Sequence, residues 1–131
     1  MMLQLLPVAA YLFAIVLVVA IAVGRTATPG LRWGLPALLG LLFVAFSLLT
    51  VLQDGLLQFW VNHTTNFAGN QVWFDLVMAV VIAFYLIAPR ARAVGMPLLP
   101  WGIAVIATAC IALLPMLARL LWLEQRKTAH V

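Results

Sequence analysis

The sequence predicts an all-α integral membrane protein: a four-helix bundle of two consecutive helical hairpins, forming a single domain over 1–131. Three observations predict it. Of the 131 residues, 67% are hydrophobic and only 8% charged, whereas roughly a quarter of an ordinary soluble domain is charged. The apolar residues gather into four runs near the ~20 residues that a helix needs to cross a bilayer core of roughly 30 Å. The five tryptophans fall near the ends of those runs, where indole rings sit at headgroup level.

A net charge of +4 on a soluble protein would point to nucleic acid. Here the seven basic residues stand at the ends of apolar runs. That assigns them to lipid headgroups, so the expected partner is the lipid bilayer and not nucleic acid. The single cysteine, Cys110, lies inside an apolar run and reads as a small packing residue.

The first run, 3–23, carries no charge before Arg25. A secretory signal needs a basic region ahead of a shorter apolar core, so a retained membrane helix is expected. The second run, 33–52, is opened by "RTATPGLRWGLP", with Pro29 and Gly30 forming the turn. Pro36 would then fall in the first helical turn, where a missing N–H is tolerated. The third run, 72–88, is ended by Pro89 and "RARAVG". The fourth, 97–123, is longer than the bilayer core requires and is expected to tilt, kink at Pro115 or project from the membrane.

Four spans put both termini on one side, with Arg25, Arg32, Arg90 and Arg92 on the other and Arg119, Arg126 and Lys127 at the C-terminal end. Short basic loops weigh more than a tail, so both termini and loop 53–71 are expected on the non-cytoplasmic side. Two interfacial belts follow: Trp33 and Trp101 on the arginine-loop side, with Trp60, Trp73 and Trp122 opposite. "RTATPGLRWG" and "RARAVGMPLLPWG" also match across a three-residue gap, which suggests a parallel repeat of two hairpins.

The one long polar stretch, "FWVNHTTNFAGNQVWFD", lies between the second and third runs. Its turn formers read as an ordered extramembrane loop. The sharper alternative is a polar cap over a cavity, with His63, Asn66, Asn70 and Gln71 as hydrogen-bonding groups. His63 has no second histidine or cysteine at ligand spacing, so no metal is expected.

Asp75 falls about one turn into the third span, and ionisable residues there are costly and usually paired or functional. With the fourth span antiparallel to the third, Arg119 would stand at similar depth. Two readings remain open: an Asp75–Arg119 ion pair, or an aspartate at the positive end of its own helix and a snorkelling arginine. Ala104, Thr108 and Ala112 on the fourth span, with Ala79 and Ala83 on the third, recur every four residues as small-residue packing faces.

The back half, from Asn66 to Arg126, resembles the small bacterial membrane proteins grouped as domain-of-unknown-function family 2834. Asp75, "RARAVGM", Trp101 and "LLPMLARLLWLEQR" carry the resemblance. It implies a small multi-span inner-membrane protein and carries over no catalytic or ligand residues.

No catalytic constellation stands out, so the expected role is non-enzymatic and without cofactor: an accessory or structural subunit packing on a membrane-protein partner or on copies of itself. One alternative is a binder or carrier of a lipid, quinone, carotenoid, pigment or hydrophobic cation. The other is a membrane-embedded enzyme on a lipid-like substrate, using Asp54, Asp75, Glu124 and His63 on one membrane face.

Overall fold

A computed structural model of the chain describes residues 2–24 and 29–129. Arg25 and His130 lie outside the described residues. Six helices follow in order: α1 (Met2–Ala22), α2 (Pro29–Asp54), α3 (Leu57–Thr64), α4 (Phe67–Ala93), α5 (Leu98–Thr108) and α6 (Cys110–Ala129). Among the described residues there is no strand. Three of the helices, α1, α2 and α4, are long and apolar enough to cross a membrane.

Helices α2 and α4 exceed their apolar runs at both ends. α2 already begins at Pro29, so the expected turn at Pro29 and Gly30 is its first two residues, and Pro36 lies buried well inside the helix. α4 runs through Pro89 to Ala93. Proline removes its own N–H and crowds the carbonyl four residues back, a local cost that helices in lipid tolerate. α4 stops instead at Gly95, whose φ of +76° lets the Gly95 N–H reach the Arg92 carbonyl at 3.0 Å and the Met96 N–H reach Ala91 at 2.9 Å. This double closure is favoured by glycine in the left-handed conformation. It folds Met96 back onto Ala91, and both are buried.

The fourth apolar run differs most from expectation. It is two helices, broken at Ala109, and Pro115 lies within α6 and does not mark the break. Ala109 has φ 49° and ψ −119°, a backbone conformation that strains any residue with a Cβ. Its N–H donates to the Val105 carbonyl at 2.7 Å, and its own carbonyl accepts from Ala112 and Leu113. The chain reverses there. Gly102 of α5 faces the Phe84 ring of α4, while farther on Arg90 of α4 pairs with Glu124 of α6. A continuous helix would put Glu124 about 39 Å beyond Leu98, out of reach of Arg90.

α5 therefore runs antiparallel to α4, and α6 returns parallel to α4 and antiparallel to α2. Gly40 of α2 packs closely against Leu114 and Pro115 of α6. The core lies between α4, α5 and α6, where Val80, Ile87, Ala91, Met96, Val105, Ala112, Met116 and Leu120 are buried together. Met116 and Leu120 are completely enclosed. By contrast, the apolar window of α1 buries nothing, and among the described residues α1 makes no extensive contact with α2–α6.

These facts correct the two-hairpin plan. An uninterrupted α2 and a broken α5–α6 are not copies of one unit, so the parallel repeat does not appear in the fold. The small-residue face of 104, 108 and 112 is also divided by the break. Ala112 is buried on α6, while Thr108 on α5 is exposed and donates to the Ala104 carbonyl at 2.8 Å. On α4, Ala79 is exposed and Ala83 half-buried.

Candidate functional site

The polar side chains of this region bond locally, mostly to nearby backbone. In α3, Gln58 Nε2 donates to Asn62 Oδ1 at 2.8 Å, Thr64 Oγ1 donates to the Trp60 carbonyl at 2.8 Å, and His63 Nδ1 lies 2.6 Å from the Phe59 carbonyl. Asn66 caps α4, its Oδ1 accepting from the Gly69 N–H at 2.7 Å. This satisfies one of the donors that every helix N-terminus leaves free. Asn70 Nδ2 donates back to the Asn66 carbonyl at 3.0 Å. Gln71 is exposed. In place of the expected loop 53–71, the stretch is mostly helix: the greater part of α3, a link at Thr65 and Asn66, and the first turns of α4, with Trp73 packed edge-on to Trp60 at 6.4 Å and 5.7 Å from the His63 ring.

Of the two readings left open for Asp75 and Arg119, the ion pair does not form. Both residues are exposed, and among the described residues the ion pair is Arg90–Glu124, with contacts of 2.9 and 2.6 Å. The cause is the reversal at Ala109. Because α6 runs parallel to α4, Ala109 (fifteen residues before Glu124) stands level with Asp75 (fifteen before Arg90). Arg119 is ten residues farther along α6, about 15 Å away along the axis.

The same reversal moves other groups. Glu124 stands at the opposite end of the fold from Asp54 and Asp75, so the three acids do not share one face. Trp122 lies beside Trp33 and Trp101 instead of with Trp60 and Trp73. Arg32, Arg90, Arg92, Arg119, Arg126 and Lys127 all stand toward one end, where α4 and α6 finish and α2 begins. Lys127 Nζ donates to the Ala93 carbonyl at 2.8 Å, placing a cation on the negative end of the α4 dipole.

Two grooves remain. One, of about 400 Å³, lies between α4 and α5 and is lined by Trp73, Leu76, Val77, Val80, Val81 and Phe84 with Gly102, Val105, Ile106 and Ala109. Apart from the Trp73 indole N–H, its side chains are apolar. The other, of about 440 Å³, lies at the basic end among Trp33 and Ala37 of α2, Trp101 of α5, and Pro115, Ala118, Arg119 and Trp122 of α6. Arg126 lies 3.9 Å above the Trp122 ring. The second groove was not legible in the sequence, because it depends on the fold-back; the first needs only the expected antiparallel pairing of the third run with the start of the fourth.

The chain matches no family model, and no curated protein or solved structure matches it. Among the described residues, no three His, Cys, Asp or Glu side chains gather as a metal site would need.

Proposed function

We propose that this chain is a small integral membrane protein of the bacterial cytoplasmic membrane that serves as a non-enzymatic accessory or structural subunit, packing on a larger membrane complex or on copies of itself. The observation that carries this reading is α1. It is a 21-residue apolar helix that buries none of its apolar window against its own chain. In lipid such a helix is stable alone, and its side chains stay available to another helix.

The six described basic residues at one end support an orientation with that end, and the C-terminus, in the cytoplasm. Asp54, Asp75 and the α3 turn then face the other side. This differs from the expectation of two external termini, because the returning α6 brings Arg119, Arg126 and Lys127 back to the other arginines.

Purification in mild detergent followed by native mass spectrometry tests the role. The expected result is a stoichiometric second chain that is lost when the residues of α1 are replaced by a polyleucine span. A single chain without a companion would overturn the reading. A second reading, a binder of a hydrophobic small molecule, is favoured by the apolar α4–α5 groove. It predicts a bound mass or a visible absorption band in the same preparation.

A further inference from the structure

We propose that the groove at the basic end is a binding site for the headgroup of an anionic phospholipid, with Arg119 and Arg126 clamping its phosphodiester. The proposal rests on the membrane reading but goes beyond it.

Arg119, Trp122 and Arg126 are spaced three and four residues apart on α6, which aligns them along one helix face. Arg126 stacks over the Trp122 ring at 3.9 Å, so its guanidinium is already oriented by the indole. Arg119 lines the groove below, is exposed, and makes no ion pair among the described residues. The acid nearest in sequence, Glu124, has both carboxylate oxygens occupied by Arg90. Asp54 and Asp75 stand toward the other end. Among the described residues, two guanidiniums on one stripe are thus left without a carboxylate.

Trp33, Trp101 and Trp122 mark the headgroup level around this groove. Arg119 stands about one turn deeper than Trp122, and its side chain can reach outward to that level. Arg126 stands about one turn farther out. A phosphodiester seated at the tryptophans would be held from both sides, and guanidinium forks match phosphate geometry. The groove's apolar remainder (Ala37, Pro115 and Ala118) suits the glycerol and the first methylenes of the acyl chains. A zwitterionic lipid brings its own cation into this cluster and is disfavoured, so the site selects net negative headgroups.

The test uses the full chain. Membranes are first washed with alkaline carbonate, and release of the chain would overturn the membrane reading and this proposal together. For retained protein, native mass spectrometry follows titration with phosphatidylglycerol or with phosphatidylcholine, each with and without inorganic phosphate. The expected result is binding of phosphatidylglycerol about tenfold tighter than phosphatidylcholine, undisturbed by equal inorganic phosphate. Arg119→Gln should lose about tenfold in affinity, and Arg119→Lys should recover part of it. Arg92→Gln, a loss of charge outside the groove, should leave binding unchanged.

Equal binding of the two lipids would overturn the site while leaving the membrane reading intact, as would an Arg92→Gln loss matching that of Arg119→Gln. Displacement by inorganic phosphate would make it a free-anion site and overturn the lipid proposal. Lipid selectivity is read on the unaltered chain, so a variant that folds poorly does not remove the test.

Discussion

Arg90 and Glu124 are 34 residues apart, yet they meet through two parallel contacts, Nε to Oε1 at 2.9 Å and Nη2 to Oε2 at 2.6 Å. This pair fixes α6 alongside α4 with both helices running the same way. Its energetic weight is modest, because both side chains are partly exposed; such pairs contribute about 0–1 kcal/mol. Its information is directional. With Cys110 replaced by alanine, cysteines at 90 and 124 should join through a short thiol cross-linker. Cysteines at 75 and 119, about 15 Å apart along the axis, should not. The reverse result would restore a straight fourth span.

The turn at Ala109 should respond to glycine. With φ at 49° the Cβ strains the backbone, and such residues cost about 1–3 kcal/mol. Glycine removes that strain but brings more chain entropy to the unfolded state. Ala109→Gly is therefore expected to raise stability by about 1 kcal/mol in detergent melts, and Ala109→Val to lower it by a similar amount or more. A glycine variant less stable than the original would mean that the turn is relaxed.

What the sequence discloses of this fold, and what it hides, divides at that residue. The long helices were legible because a run of apolar residues has few alternatives in lipid, and Asn66 was legible as part of a turn. The break at "TAC" was hidden, since no glycine or proline stands at 108–110. The helix there is given up for contacts far away in sequence: Met116 and Leu120 against the α4 face, Glu124 against Arg90, and Lys127 against the Ala93 carbonyl. One sign was present. A 97–123 span needs to tilt or kink, and it would carry Arg119 into the membrane with three further charges behind it. The basic groove followed the break into concealment, because Trp33 and Trp122 become neighbours only when α6 returns.

Gly40 sets how closely α2 and α6 approach. A Cβ there would lie 3.3 Å from Leu114 Cβ and 3.4 Å from Pro115 Cδ. In lipid, helix association depends on such close packing more than on removing apolar surface from water. Gly40→Ala should cost about 1 kcal/mol, because Leu114 and Pro115 must give by a few tenths of an ångström. Gly40→Leu should cost about 1–3 kcal/mol, and should abolish cross-linking between cysteines at 37 and 118, which face one groove. Unchanged cross-linking in the leucine variant would show that α2 is held elsewhere.

The start of α4 should fray when its cap is removed. Asn66→Ala deletes the acceptor for the Gly69 N–H and is expected to cost about 1 kcal/mol. Amide exchange of the first α4 turn should then rise about fivefold. Gly69→Ala should do more, because its Cβ would meet the Asn62 carbonyl oxygen at 2.7 Å and force α3 away from α4. An alanine at 69 that leaves exchange in α3 untouched would contradict that packing.

The re-entrant course of α5–α6 also predicts which side each terminus occupies. Were the fourth run a straight span, the C-terminus would share a side with the α3 turn, and the basic residues would divide four against three. With the chain reversing at Ala109, the C-terminal end of α6 returns to the end where α4 finishes, as the Lys127 contact with Ala93 requires. The positive-inside tendency then acts without opposition, since the α3 turn between α2 and α4 carries no lysine or arginine. A green fluorescent reporter fused after Val131 should fluoresce, and alkaline phosphatase there should be inactive. Phosphatase inserted between Thr65 and Asn66 should be active. An active phosphatase at the C-terminus, with the insertion at 65 also active, would put both on one side and remove the re-entrant hairpin.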